Sequence, residues 1–146
     1  MMPDAFKVLI YAVWRDRLLV FDEPDFPDQW LQVPGGTMEP GEAPDIAAAR
    51  EFFEETGLVV EAPLQPLMVN DYRFQKDDRE IRHRRHYFLL RLTADYPDTW
   101  IHLEEHSFDG GGPIRFRFSW MSLDEAAHLL GGGMADALPL LLTDAS

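Results

Sequence analysis

The segment from Gly36 to Leu58 constrains the fold and the chemistry of this chain more than any other. It reads GTMEPGEAPDIAAAREFFEETGL and follows a second glycine, Gly35. Two of its three glycines, its one arginine and four of its five glutamates stand at fixed distances from one another, at Gly36, Glu42, Arg50, Glu51, Glu54, Glu55 and Gly57.

The second half of the segment predicts an amphipathic helix. At 3.6 residues per turn, Glu51, Glu54 and Glu55 lie at i, i+3 and i+4, so they share one face. The opposite arc predicts a stripe that faces the core, formed by Ile46, Ala48, Ala49, Phe52 and Phe53. The helix therefore presents acid on one side and apolar surface on the other.

The ends of this helix are marked in the sequence. Pro44 suits the first turn, where a missing N–H costs nothing, and Gly57 suits the left-handed position after the last turn. Together they predict a helix over about residues 43–56. The preceding residues read WLQVPGG and predict a short strand over 30–33 that runs into a tight turn at Gly35.

Three anions on one helical face repel one another by a few tenths of a kcal/mol per pair. Arg50 can neutralise one of them, and a hard divalent cation is the natural partner for the others. Mg²⁺ binds one or two carboxylates together with substrate phosphates, and Mn²⁺ accepts the same oxygen ligands. A merely solvated charged face is the alternative, but it explains neither Glu42 nor the glycines before the helix.

The whole pattern resembles the signature of the Nudix hydrolases, the MutT-like family, at every specified position. Average residue usage puts a chance match on the order of 10⁻⁷ or less for a chain of this length. The resemblance implies that the cofactor is Mg²⁺ (or Mn²⁺). It implies that the metal is held by Gly35, through its carbonyl oxygen, and by Glu51, Glu54 and Glu55.

The resemblance also implies a reaction. A nucleoside diphosphate linked to another moiety would be hydrolysed by an activated water that breaks a P–O bond of the pyrophosphate. Such a reaction needs neutralised phosphate charge and a water held in line. Arg50 would orient Glu51, and Glu42 would either pair with Arg50 or contact the metal through water.

The general base is left open between two places in the chain. One candidate is Glu54 within the motif. The other is a carboxylate from a later loop, where Glu105 is the first candidate, Glu104 nearly as good and Asp109 less so. A solvated loop is the alternative explanation for these later acids. We therefore predict the catalytic residues Glu54, Glu51, Arg50 and Glu105.

A basic segment follows the motif. Residues 73–91 hold seven of the thirteen Lys and Arg residues but only three acids, a local balance of +4. Arginine is the preferred side chain for bidentate phosphate contact, so we predict that Arg82 and Arg84 bind substrate phosphate. The same charges could instead protect an edge strand from aggregation, and the two roles are compatible.

The remaining segments predict the fold class. Apolar and alternating runs predict strands at 6–14, 17–21, 67–72, 82–92 and 115–121, while 93–113 is predicted to be irregular. Ser122 and Glu125 form a capping box for a second helix, and a short last helix follows. Strands on both sides of the motif helix predict an α/β (α+β) fold with a mixed sheet between helices. The resemblance implies the same, since the Nudix fold is an α/β/α sandwich, here a single domain over residues 1–146.

Composition limits the partners. A net charge of −13 argues against nucleic acid, and the absence of cysteine excludes zinc–thiolate sites and thiol nucleophiles. No apolar stretch approaches the roughly 20 residues that span a bilayer, and no signal peptide is visible. We therefore expect a cytoplasmic protein with no membrane contact. The resemblance implies that its partner is a small nucleoside diphosphate derivative. Nudix enzymes are often dimers, so the resemblance allows a homodimer.

Two other functional classes compete with a hydrolase. A non-catalytic Nudix-fold sensor would bind a nucleotide or ADP-ribose, but such domains usually lose motif glutamates and this chain keeps them all. A prenyl diphosphate isomerase on the same fold needs a cysteine, which this chain lacks. Oxidised nucleoside triphosphates, nucleotide sugars and dinucleoside polyphosphates all remain open as substrates.

Overall fold

The computed structural model describes residues 1–104 and 112–144, with side chains described through Leu141. The described elements, in chain order, are β1 (Ala5–Trp14), β2 (Arg17–Asp22), β3 (Gly35–Thr37), α1 (Pro44–Thr56), β4 (Gln65–Lys76), β5 (Arg79–Arg91), β6 (Thr99–Glu104), β7 (Ile114–Ser122), α2 (Leu123–Leu129) and α3 (Leu138–Asp144). A single 3₁₀ turn, Met134–Ala137, precedes α3. No helix in these ranges is long and apolar enough to cross a membrane.

The seven described strands form one mixed sheet, in which six follow the order β4-β5-β1-β2-β7-β6 and β3 pairs with β1. Among these described strands, the pairing of β1 with β5 is the only parallel one. One edge of β1 is shared: β2 pairs with its last two residues, Val13 and Trp14, which leaves 7–9 free to pair with β3. This sharing brings the two motif glycines, Gly35 and Gly36, against the centre of the sheet.

The two faces of the sheet bury separate apolar cores. Val8 and Ile10 of β1 point to the core beneath α1, whereas Leu9 and Tyr11 point to the core beneath α2 and α3. This alternation follows from the two-residue period of a strand. Helices therefore cover both faces, and the predicted α/β/α sandwich is confirmed.

Two strand pairs are closed by two-residue turns. Arg15 and Asp16 join β1 to β2 with φ values of 51° and 63°, and Asp77 and Asp78 join β4 to β5 with 52° and 62°. Positive φ at both central residues is the geometry that matches the twist of a hairpin. The connection between β4 and β5 is therefore shorter than the predicted strands 67–72 and 82–92 implied, because β4 continues to Lys76 and β5 begins at Arg79.

Two sequence-based strand predictions were wrong. Residues 30–33 contain only isolated bridges at Leu31 and Gln32, and the strand instead occupies Gly35–Thr37. Glycine is poor in strands, but here it is required. A Cβ on Gly35 would overlap the Val8 carbonyl oxygen of the neighbouring strand. The predicted irregular segment also contains β6, an edge strand.

Helix α1 matches its predicted ends but not its whole predicted core face. Its buried residues are Ala47, Ala48, Phe52 and Thr56. Ile46 and Phe53, which were predicted to face the core, are 60% and 51% exposed. The helix is therefore rotated toward its alanines, which allow close approach to the sheet.

Candidate active site

Arg50 ties three of the motif glutamates together. Its guanidinium donates two hydrogen bonds of 2.8 Å to Glu42, one from Nε and one from Nη2. Nη1 donates to Glu51 at 2.8 Å and to Glu54 at 3.3 Å. Nη2 also donates to the carbonyl oxygen of Thr37 at 3.1 Å, which links α1 to β3. Because Arg50 contacts Glu51 directly, it can orient that carboxylate.

Arg50 also changes the acidity of Glu42. Its hydrogen bonds, with a smaller contribution from the backbone N–H of Glu39, lower the pKa of Glu42 from 4.5 to about 2. The pair is therefore built around an ionised Glu42. Of the two roles that the resemblance left open for Glu42, pairing with Arg50 is the one that the structure displays.

We predict a pH-dependent contribution of Glu42 to stability. Because its pKa is lower in the folded state than the ordinary 4.5, its stabilising effect should be complete above about pH 4.5 and be lost as the pH falls toward 2. Urea unfolding of the wild type and of Glu42→Gln, measured across this range, should give midpoints that converge at acid pH. Glu61→Gln, at an exposed position, is the control. A difference that stays constant down to about pH 2 would contradict the assignment.

Glu55 is the enclosed carboxylate of the set. It accepts a 2.7 Å hydrogen bond from the backbone N–H of Gly35. Burial around its carboxyl group raises its pKa well above the usual range, although the residue as a whole keeps some exposure. The N–H of Gly35 opposes this effect, while the nearby charges of Glu51, Glu104 and Glu23 add to it. A bound cation would offset both the cost of burying the Glu55 carboxylate in its charged form and its repulsion by the neighbouring carboxylates.

The close approach of Gly36 and Glu51 completes an oxygen-rich cradle. A Cβ on Gly36 would overlap the carboxylate of Glu51, so any larger residue there would displace that carboxylate. Within the described parts of the chain no three acids or histidines are already gathered around one point. Arg50 and Gly35 hold the carboxylates instead. The donor set consists of oxygens only, which suits a hard divalent cation.

Two acids outside the motif lie near this cradle. Burial raises the pKa of both Glu51 and Glu55, and the nearby charge of Glu104, at the end of β6, adds a smaller contribution in the same direction. Glu23, which accepts a 3.1 Å hydrogen bond from Gln32, also acts on Glu55. Sequence reasoning missed Glu23, because nothing in the acidic run around it marks one residue. The first candidate for a loop base, Glu105, lies outside the described residues.

A cavity of about 460 Å³ opens beside these carboxylates. Glu55, Gly35 and Gly36 line one part of it, and Lys7 and Arg85 bring positive charge to it. Aromatic side chains line another part of it, among them Trp30, Tyr72 and Phe74. A carboxylate, two cations and several aromatic rings thus share one space.

Lys7 and Arg85 are neighbours on paired strands. They stand opposite each other in the parallel pair of β1 and β5. Lys7 donates a 2.5 Å hydrogen bond to Thr37, and burial lowers its pKa. Arg85 is only 7% exposed and is held over the ring of Tyr72, with 3.8 Å from its Cζ to the ring centroid. Such enclosed cations suit an anionic ligand.

Arg82 and Arg84, which were predicted to bind phosphate, do not line this cavity. Arg84 forms hydrogen bonds of 2.9 and 3.2 Å with Asp71, and Arg82 lies 3.6 Å from the same carboxylate. Phe6 is the β1 partner of Arg84, so Arg84 shares the face of Val8 and Ile10, beneath α1. Arg85, one residue later, points to the opposite face because side chains alternate along a strand.

Two side chains of β6 fasten the C-terminal end of α1. The indole Nε1 of Trp100 donates to the carbonyl oxygen of Thr56 at 3.0 Å, and Nε2 of His102 lies 2.9 Å from that of Glu54. Carbonyls at the end of a helix lack helical partners, so these contacts satisfy them. They also fix the acid face of α1 relative to β6.

Comparison with known proteins agrees with this site. The NUDIX domain family model matches residues 3–141. Diphosphoinositol polyphosphate phosphohydrolase 3-alpha of Mus musculus is 42% identical over 133 residues, covering 88% of this chain and 71% of that protein. Diphosphoinositol polyphosphate phosphohydrolase 2 of Homo sapiens is 41% identical over 84 residues, covering 58% and 42%.

Solved structures show the same fold at low identity. The MutT NUDIX hydrolase from Burkholderia pseudomallei has a TM-score of 0.69 at 19% identity, covering 97% of this chain and 99% of that one. The Ap4A hydrolase of C. elegans has a TM-score of 0.63 at 16% identity, covering 99% and 100%. The solved structures establish the fold, whereas the family match and the phosphohydrolase relatives establish the family and the class of enzyme. The chain therefore belongs to the Nudix family and is one of its pyrophosphohydrolases.

Proposed function

We propose that this enzyme uses Mg²⁺ or Mn²⁺ to hydrolyse a nucleoside diphosphate linked to another moiety. The observation that carries the proposal is the shared cavity, in which the enclosed carboxylate Glu55 and the cations Lys7 and Arg85 face one space. Binding of a pyrophosphate with its divalent ion requires both kinds of side chain. Carboxylates coordinate the ion, and cationic side chains contact the phosphate oxygens that the ion does not neutralise.

The motif residues would hold the ion. Glu51, Glu54, Glu55 and the carbonyl oxygen of Gly35 are the proposed ligands. A bound divalent ion supplies phosphate charge neutralisation and lowers the pKa of a water. Arg50 keeps Glu51 in place through the 2.8 Å contact between them.

Lys7 and Arg85 take the phosphate role in this proposal. Both line the cavity, whereas Arg82 and Arg84 do not line it and are paired with Asp71. Arg85 is fixed before any ligand arrives, because Tyr72 and the carbonyl oxygen of Gly132 hold its guanidinium. Preorganised cations lose little freedom on binding.

The proton of the attacking water goes to a carboxylate. Glu54 remains one candidate: it is the most exposed of the carboxylates that Arg50 contacts, with 41% of its side chain exposed, and its contact with Arg50 is the longest. Glu105 remains the other, and Glu104 is close enough to influence the acidity of Glu51 and Glu55. Comparing kcat against pH for Glu54→Gln, Glu104→Gln and Glu105→Gln would separate them, since loss of the base removes the acidic limb of the profile.

A second candidate substrate is a diphosphoinositol polyphosphate. The relatives at 41–42% identity carry that name. The described cavity lining favours the nucleotide, because it combines only two cationic side chains with a histidine and several aromatic rings. A ligand with many phosphates would be expected to require more positive charge than this.

The substrate class can be tested by a phosphate-release panel. Purified protein would be assayed with Mg²⁺ or Mn²⁺ on nucleoside triphosphates, oxidised nucleotides, ADP-ribose, nucleotide sugars, dinucleoside polyphosphates and a diphosphoinositol polyphosphate. We expect metal-dependent turnover to be highest for a nucleotide. Preference for the inositol compound would replace the first candidate by the second. Binding without any turnover would favour the sensor.

Two properties of the whole protein complete the proposal. We place the enzyme in the cytoplasm and allow a homodimer, with small phosphorylated metabolites as partners and no nucleic acid. The net charge of −13 supports the exclusion of nucleic acid. Light scattering after size-exclusion chromatography would decide between monomer and dimer.

A further inference from the structure

We propose that Trp30, backed by Gly131 and Gly132, is a stacking wall that binds the planar ring of the substrate's nucleobase. The proposal deepens the proposed function, on which it rests, by assigning the part of the ligand that is not phosphate.

The indole of Trp30 lies against glycine backbone along its whole length. A Cβ on Gly131 would overlap Cγ of the indole and lie 2.5 Å from Cβ and Cδ2 of Trp30. A Cβ on Gly132 would lie 3.2 Å from Cζ2 and 3.3 Å from Nε1. One glycine thus meets the root of the side chain and the next meets its far edge. The back of the ring is therefore closed by the turn.

The turn is itself fixed relative to Trp30. The backbone N–H of Gly131 donates to the carbonyl oxygen of Leu31, the residue after Trp30, at 3.1 Å. Gly132 and Gly133 have φ values of 60° and 75°, a region that favours glycine. Wall and backing are thus tied together by main-chain contacts.

The front of the ring is open to the cavity. Trp30 lines the cavity and is 53% exposed. Within the described ranges it stacks on no other ring, whereas Trp14, Trp100 and Trp120 pack against one another on the α1 side of the sheet. A large apolar face that is held rigidly and left exposed in a cavity is a site for a planar ligand.

The same turn also connects this wall to the phosphate end of the cavity. The carbonyl oxygen of Gly132 accepts a 2.6 Å hydrogen bond from Nη1 of Arg85. A Cβ on Gly133 would lie 3.0 Å from the ring of Tyr72, on which Arg85 is stacked. One element therefore sets both the ring position and the cation position, as a ligand with a base at one end and phosphate at the other requires.

The test uses a pair of probes that differ only by the base. Nucleoside monophosphates and ribose 5-phosphate would be titrated by calorimetry into the full chain with Mg²⁺ present. We expect at least one nucleotide to bind about tenfold or more tightly than ribose 5-phosphate, the effect expected of one aromatic stack. Trp30→Leu should bring the two within about twofold by weakening only the nucleotide, and Trp30→Phe should largely keep the preference.

A second variant moves the wall without removing it. Gly131→Ala places a methyl group against the root of the indole, so it should weaken nucleotide binding and leave ribose 5-phosphate unchanged. Thermal unfolding of each variant would show that it is folded. Quenching of tryptophan fluorescence by the nucleotide should disappear in Trp30→Phe, a signal that a purely structural role would not produce.

The outcomes are distinct from those of the substrate panel. Equal affinity of the wild type for all nucleotides and ribose 5-phosphate overturns the proposal, as does no detectable nucleotide binding at millimolar concentration. A base preference that survives in Trp30→Leu overturns it as well. A base preference without hydrolysis of any nucleotide would keep the wall and reject the proposed function.

Discussion

Glu54→Gln is expected to lower kcat by at least about 10²-fold with Mg²⁺ or Mn²⁺ while leaving the protein folded. Loss of a carboxylate that stabilises charge in the transition state has an effect of this size. Glu54 is suited to the test because its side chain is 41% exposed and its only direct side-chain partner among the described contacts is Arg50, at 3.3 Å. Exposed substitutions of this kind usually change stability by less than about 0.5 kcal/mol.

The control for this experiment is Glu61→Gln, which makes the same chemical change at an exposed position after the helix. It should keep wild-type kcat and KM. Steady-state kinetics and thermal unfolding of both variants would be compared. Full activity of a folded Glu54→Gln protein would show that the proposed metal and base roles of this residue are wrong.

Gly36→Ala should abolish most activity for a different reason. Its Cβ would overlap the carboxylate of Glu51, the flexible end of a side chain, so the carboxylate would have to move while the backbone stays. A displacement of about 1 Å at a catalytic group can cost on the order of 10²-fold in rate. Isothermal titration with Mn²⁺ should show weaker binding, and kcat/KM should fall by a similar order.

Gly35→Ala is the matched variant, one residue earlier on the same strand. Its Cβ would overlap the Val8 carbonyl oxygen and lie 2.7 Å from Cδ2 of Leu9, within the sheet itself. Forcing a methyl group into packed structure costs about 1–3 kcal/mol, so Gly35→Ala should lower the urea midpoint and Gly36→Ala should lower it much less. If Gly36→Ala lost stability as much as Gly35→Ala and kept its metal affinity, the proposed cradle would be wrong.

The residues proposed to bind phosphate show why the site could only partly be predicted from the sequence. The basic segment pointed to arginines on β5, and β5 does bring one to the cavity. The sequence could not indicate which, because HYFLLRL is apolar on both faces, and a shift of one residue exchanges the two faces. The register of β5 against β1 decides which β5 side chains lie on each face of the sheet. It places Arg85 in the cavity lining and Arg84 beside Asp71.

The motif helix shows the opposite balance. Its ends were predictable because Pro44 and Gly57 act locally, and Gly57 takes the expected left-handed conformation with φ of 81°. The buried face of the helix was not predictable in the same way, since Ala47 packs against the core while Phe53 is exposed. Judged by hydrophobicity alone, Phe53 is a better candidate for burial than Ala47. However, the small alanine side chains let the helix approach the sheet closely, and this decides which residues of α1 are buried. Likewise, two of the three residues of β3 are glycines, which have poor strand preference, and the strand forms because it pairs with the edge of β1.

The shared edge of β1 has a consequence for how this protein opens. Gly35 and Gly36 lie on β3, which pairs with one edge of β1. Arg85 lies on β5, which pairs with the other edge, and Lys7 lies on β1 itself. Segments joined in this way open together as a cooperative unit rather than one by one. Local unfolding that detached β1 would disrupt the proposed metal ligands and the proposed phosphate-binding cations in a single event. The enzyme should therefore have no partly opened state that keeps one of these groups in place without the other.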